Sequence, residues 1–268
     1  LEFRRVLFRS RVTYYDVLGV DPEADPEALR AAHDRWMRPD NLAITVVGAI
    51  SAEQLKPMLE QAFGAWQATQ APRPAKPIDA AIPAPRPRIV LIDRPNSPQS
   101  VILAGRVLPV NGQTPGLEAL DLANEVLGND FLSRLNMDLR EDKGWSYGVR
   151  ASINRVVGDV PYIVLAPVQA DRTGESIAAI KANMREFLTT KGITEEERGR
   201  IINGNILELP GSYETSGAVL GAIQRNALYG RPDNFYDSLA SQYRAMTREQ
   251  LDASIRAVLK PDEMLWVV

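Results

Sequence analysis

The sequence predicts an α+β layer fold with a mostly antiparallel sheet, and three observations carry that prediction. Strand-like and helix-like segments come in runs rather than in strict alternation. The apolar runs at 88–92, 100–108, 147–153, 162–168 and 264–268 are short and bounded by Gly, Pro, Asn or Asp. Several helical patterns open with a Ser or Thr three residues ahead of a Glu or Gln, the spacing of a capping box.

Leu1 to Ser10 have neither a helical nor a strand period, and they lack the sustained apolar centre and small-residue cleavage site of a signal peptide. This segment reads as non-native sequence from cloning or read-through. Asp25 ahead of Pro26 is an N-cap followed by proline at the first helical position, opening a helix to about Met37 that Arg38-Pro39-Asp40-Asn41 ends. The nearly continuous apolar run Leu42-Ala43-Ile44-Thr45-Val46-Val47 predicts a buried strand closed by Gly48. Ser51 and Gln54 then open a second helix, with Leu55, Met58, Leu59 and Ala62 as its apolar stripe before Gly64. From Ala71 to Pro87 the chain carries Pro72, Pro74, Pro77, Pro83, Pro85 and Pro87 with little apolar content, the composition of an extended linker.

Beyond the linker, 88–92 and 100–108 read as strands separated by the turn-rich Asp93-Arg94-Pro95-Asn96-Ser97-Pro98. Thr114-Pro115 starts a helix ending near Gly128, and a further helix follows over 129–143. Strands at 147–153 and 162–168 are joined around Val157-Gly158-Asp159. Thr173 caps a helix through Leu188, while Thr194 with Glu197 and Thr247 with Gln250 cap two later ones. Leu209-Pro210-Gly211 and Gly230-Arg231-Pro232 interrupt the helical pattern, and Met264 to Val268 is a final strand. The chain therefore divides into the C-terminal part of a first α+β domain (11–68), a Pro-rich linker (69–87) and a second α+β domain (88–268) expected to be truncated at its C-terminal end. An internal echo supports a duplication: helix, Arg38-Pro39-Asp40 and an apolar run in the first part match helix, Lys260-Pro261-Asp262 and an apolar run in the second. The alternative is that helix-Pro-Asp-strand is a common connector.

The chain has 268 residues, 45% hydrophobic and 24% charged, with a formal net charge of −3, enough to bury a core in one large or two smaller domains. No apolar run approaches the roughly 20 residues that span a bilayer, and the acidic balance, with arginines dispersed, gives no nucleic-acid surface. Without cysteine there are no disulfides, zinc-thiolate sites or thiol nucleophiles. The single histidine, His33, lies in an amphipathic helix and reads as a surface residue; a catalytic zinc site needs two or three His or Cys ligands. No G-x-S-x-G nucleophile elbow is present.

The most informative stretch runs from Asn129 to Val149. Phe131, Leu132, Leu135 and Leu139 fall at helical spacing, Lys143 suits the negative end of the helix dipole, and Gly144 suits a left-handed stop. From Trp145 the period changes to two, with Trp145, Tyr147, Val149, Ala151 and Ile153 sharing a strand face. Arg140 leaves the last helical turn and Tyr147 begins the strand, so both reach one rim, where a guanidinium and a phenol can donate to a carbonyl oxygen or an oxyanion. The competing reading makes Tyr147 a core filler and Arg140 a solvated helix end.

Taken together, Arg38 to Gly48, Pro95-Asn96-Ser97-Pro98-Gln99-Ser100 and Leu139-Arg140-Glu141-Asp142-Lys143-Gly144-Trp145-Ser146-Tyr147-Gly148 resemble the pitrilysin/insulinase family of zinc metallopeptidases, over residues 26–268. The resemblance implies a two-layer sandwich of the processing-peptidase type, a mostly antiparallel sheet with helices packed on it, whose paired domains enclose a peptide-binding chamber. The family's H-x-x-E-H motif is missing, so the resemblance implies the non-zinc half: no metal or cofactor in this chain, and zinc on a homologous half or subunit. It maps Arg140 and Tyr147 onto the residues that complete the site from the opposing side, with peptides as substrates and export to the periplasm, as in bacterial members. A non-catalytic peptide-binding or scaffold subunit is the alternative, and a purely structural half is a third.

Overall fold

The computed structural model describes residues 21, 23–75, 81 and 84–268. The non-native reading of residues 1–10 lies outside them. The chain forms two compact units, Leu1–Pro77 and Ile78–Val268.

In the first unit, helix α1 spans Pro26–Trp36, and the Asp25 side chain accepts from the Ala28 amide at 2.8 Å. Helix α2 spans Ala52–Phe63 with a complete capping box: Ser51 Oγ accepts from the Gln54 amide at 3.3 Å and Gln54 Oε1 from the Ser51 amide at 3.1 Å. Between them Pro39–Asn41 form a single tight turn. Arg38, only 5% exposed, forks onto both oxygens of Asp40 at 2.8 and 2.7 Å and donates to the Ala71 carbonyl at 2.7 Å. The buried strand expected at Leu42–Val47 is not formed. Leu42 is extended, but the run joins no ladder, and Leu42, Ile44 and Val46 are exposed. A strand is stabilised by a hydrogen-bonded neighbour, and among the described residues of this unit none is in strand conformation.

The second unit is built on one five-stranded sheet: β1 (Arg88–Val90), β2 (Gln99–Asn111), β3 (Arg150–Ile153), β4 (Asp159–Gln169) and β5 (Leu265–Val267), in the order β1-β5-β2-β4-β3. Only β1 and β5 run parallel. The long β2–β4 ladder sets the register, with Ile102 opposite Ala166 and Ala104 opposite Val164, all four fully buried. On the other face of the same strands Val101, Leu103 and Leu165 stay exposed. One face is thus packed and one is bare, as the period of two requires. The echoed Lys260-Pro261-Asp262 forms the same tight turn, Pro261–Glu263, as its counterpart at Pro39–Asn41. Here the apolar run that follows becomes β5, because β1 and β2 flank it, with Trp266 only 2% exposed.

Helices cover the packed face: α3 (Leu117–Asn124), α4 (Arg134–Asn136), α5 (Thr173–Leu188), α6 (Glu195–Glu208), α7 (Ser216–Tyr229), α8 (Leu239–Ala245) and α9 (Arg248–Val258). Leu120 and Leu127, Ile180 and Met184, and Leu251 and Ile255 meet Tyr162, Val164 and Trp266 of the sheet in one core. The Thr194–Glu197 and Thr247–Gln250 capping boxes form as the sequence predicts. Thr173 does not cap α5. Its hydroxyl lies 2.8 Å from the Ala170 carbonyl and 2.7 Å from Ser100 Oγ, tying the helix start to β2 instead. Wider π-helical turns, Glu125–Asn129 and Met137–Asp142, extend α3 and α4.

Along α3, Glu118 and Asp121 share a face that Arg155 spans, reaching Glu118 Oε1 at 2.9 Å and Asp121 Oδ2 at 2.5 Å, while Arg231 reaches Glu118 at 2.8 Å. One turn on, burial pushes the Glu125 carboxyl up to about 7; the Asn205 amide, donating at 2.6 Å, opposes this, and nearby carboxylates add to it. A carboxyl raised in the folded state stabilises below its unfolded range near 4.5, and that contribution is lost as pH rises through about 7. Glu125→Gln is therefore expected to exceed the parent in stability at pH 8 by an amount on the order of 2–3 kcal/mol, and by little at pH 5. Urea unfolding at both pH values reads this; an equal difference at the two would show that ionisation of Glu125 is not the cause.

Candidate functional site

The expected single helix over 129–143 is divided. Asp130 to Ser133 form a turn, with the Leu132 amide donating to Asp130 Oδ1 at 2.8 Å, and helical geometry starts at Arg134. Leu135 and Leu139 are fully buried, whereas Phe131 and Leu132 are 60% and 48% exposed. Phe131 and Leu132 therefore belong to the rim rather than the core stripe that their spacing suggested. The helix ends at Gly144 in the left-handed conformation, φ 65°, as expected.

Arg140 sits in the last, widened turn, its side chain 34% exposed. Its guanidinium carbon lies 4.3 Å from the Phe131 ring centroid, and its Nε is 3.3 Å from Glu141 Oε1. The stack and the ion pair fix the plane of the guanidinium and leave its terminal nitrogens without a partner among the described residues. Beyond Gly144 the chain turns back, with the Trp145 amide donating to the Leu139 carbonyl at 2.9 Å.

The strand does not begin at Tyr147. Ser146 makes an isolated bridge to Val168, then Ser146 Oγ accepts from the Gly148 amide at 3.1 Å and donates to the Pro167 carbonyl at 2.5 Å. This side-chain turn breaks the alternation, so Val149 and Ala151 face the core while Tyr147 swings out, 89% exposed. The core-filling reading of Tyr147 is overturned, and its hydroxyl has no partner among the described residues. Arg140 and Tyr147 thus stand on adjoining segments, the end of a helix and the turn after it, on either side of Gly144.

Two further residues hold this arrangement: Asn136, to which the sequence pattern assigned no role, and Phe131, which it placed in the apolar stripe. Asn136, 4% exposed, donates from Nδ2 to the Phe131 carbonyl at 2.7 Å and accepts at Oδ1 from the Val149 amide at 3.0 Å. Phe131 supplies the ring beneath Arg140. The signal for Asn136 was available: a polar residue between Leu135 and Leu139, one turn before Arg140.

The donors for a metal do not assemble. Among the described residues no group of three His, Cys, Asp or Glu is placed to hold one. His33 stands on α1, its side chain 53% exposed and its Nδ1 3.0 Å from Asp34. The residues described do not fit a zinc ion.

The family description "Peptidase M16 inactive domain" matches residues 23–205. Uncharacterised zinc proteases of Mycobacterium bovis and Mycobacterium tuberculosis are each 25% identical over 245 residues, 86% of this chain and 52% of theirs. The chain spans about half the length of these curated relatives. Among solved structures, a peptidase M16 inactive domain from Pseudomonas fluorescens shares the fold at a TM-score of 0.78 and 22% identity, covering 92% of this chain and 57% of that one. A protease from Helicobacter pylori does so at 0.77 and 15%, covering 91% and 58%.

Proposed function

Because this chain belongs to the family of peptidase M16 inactive domains, we propose that it is the non-zinc half of a metalloendopeptidase, closing a peptide-binding chamber and supplying Arg140 and Tyr147 to the substrate. The observation that carries this reading is the pair of exposed, unspent donors on a rim whose backbone is fixed from three sides. A scissile carbonyl set against them receives hydrogen bonds from the Arg140 guanidinium and the Tyr147 hydroxyl. As the carbon becomes tetrahedral its oxygen gains charge, and donors already in place stabilise that charge with little reorganisation. The guanidinium acts only as a hydrogen-bond donor and moves no proton. The exposed ring of Tyr147 adds an apolar surface along the peptide.

The chain's described residues hold no zinc site, so the metal is assigned to a homologous half, on this polypeptide or another. The relatives' description as zinc proteases supports that assignment. The test compares peptide hydrolysis by the zinc-bearing half alone with hydrolysis by the two halves together. Turnover that depends on both is expected. Equal rates with and without this chain would sink the proposal, and peptide capture by this chain without any gain in turnover would favour a non-catalytic peptide-binding subunit.

A further inference from the structure

We infer that Asn136 is a positioning residue that sets the Arg140–Tyr147 rim by joining three backbone segments through one side-chain amide; the inference rests on reading that rim as a peptide-carbonyl site. The first segment is the 130–133 turn, which Asn136 holds through the Phe131 carbonyl at 2.7 Å, so the ring under Arg140 is fixed by the amide and not by burial. The second is its own helix, where Arg140 follows four residues later on the same face. The third is the turn after Tyr147, held through the Val149 amide at 3.0 Å. Gly148 packs against the same group, a Cβ there lying 3.6 Å from Asn136 Oδ1.

The chemistry demands a side chain that donates and accepts at once, which the amide of Asn136 does. The Phe131 carbonyl can only accept and the Val149 N–H can only donate, so the residue between them must do both from one planar group. Aspartate keeps the acceptor and loses the donor; leucine, of similar shape, loses both. Asn136 is 4% exposed, so its effect on a peptide passes through Arg140 and Tyr147.

Asn136→Asp, Phe131→Ala and Arg140→Ala would be made in the complete two-half protein and read by steady-state kinetics, thermal unfolding and amide hydrogen exchange. Asn136→Asp is expected to speed exchange across 130–133 more than across 145–149. It is expected to lower kcat about tenfold or more while KM moves less than about twofold, since a group displaced by about 1 Å can cost up to roughly 10²-fold. The kcat loss should shrink when Arg140 is already alanine, the remainder being transmitted through the Tyr147 segment. Phe131→Ala, which removes a ring 60% exposed and so spares the core, is expected to lower kcat without lowering the unfolding temperature; it keeps the test open if Asn136→Asp folds poorly. Normal kcat in Phe131→Ala or in Asn136→Asp, with Arg140→Ala impaired, overturns the positioning role and leaves the rim reading intact. A loss of equal size in the Arg140→Ala background marks Asn136 as merely structural and also overturns it. If Arg140→Ala itself is fully active, the rim reading falls and the inference with it.

Discussion

Arg140→Ala is expected to lower kcat of the assembled peptidase by about 10²–10³-fold, about 2.7–4 kcal/mol of barrier, the typical cost of removing one preorganised oxyanion donor. Its stability should change by less than about 0.5 kcal/mol, because the side chain rests on an exposed ring and pairs with Glu141 at the surface. Tyr147→Phe isolates the hydroxyl, since a ring 89% exposed contributes almost nothing to the core. Its expected loss is smaller, about tenfold, as a neutral donor is roughly half as strong as a charged one. Both losses should fall on kcat more than on KM, as interactions made only in the transition state do. Peptide hydrolysis at saturating substrate checks both variants. Parental kcat in the two, with folding intact, would remove the pair from any role at the reacting carbonyl.

The largest expected loss of stability lies elsewhere. Arg155→Met is expected to destabilise the second unit by about 1–3 kcal/mol, because it removes the guanidinium that bridges two partly buried carboxylates, one of which, Asp121, keeps some contact with solvent. Arg155 is the cation that reaches both Glu118 and Asp121, and after its loss Arg231 still reaches Glu118 while no other cation among the described residues pairs with Asp121. Burial already raises the Asp121 carboxyl, and Arg155 is the main influence holding it down. Without the guanidinium the carboxyl rises further, so the variant's deficit should be greatest near pH 8 and shrink as pH falls and Asp121 takes up a proton. Denaturant titrations at pH 8 and pH 5 measure this. A deficit independent of pH would show that lost packing by the arginine stem, not the stranded carboxylate, is responsible.

Much of the fold is legible because it is local. The capping boxes at Ser51, Thr194 and Thr247, the left-handed stop at Gly144 and the alternating strands β2 and β4 all follow from residues within a few positions of one another. The failures are equally specific. Leu42–Val47 and Leu265–Val267 follow the same turn motif and have similar apolar character, yet only the second is a strand, because pairing depends on neighbours distant in sequence. Tyr147 obeyed the period of two on paper, and one hydroxyl, that of Ser146, turned it outward. Phe131 obeyed the helical period and fell in the turn before the helix.

The sequence by itself determined that this chain lacks the ligands of a zinc site, that its second part is an α+β layer fold, and that Arg140 and Tyr147 lie on either side of a helix stop. Those conclusions need only residue counts, periods and one glycine. The tertiary structure decided that Tyr147 is bare rather than buried, that Phe131 lies under Arg140, and that Asn136 links the segments carrying all three. Each is a hydrogen bond or a ring contact between segments that fold back on one another, and sequence spacing does not encode which backbone groups such a fold leaves for a side chain to satisfy.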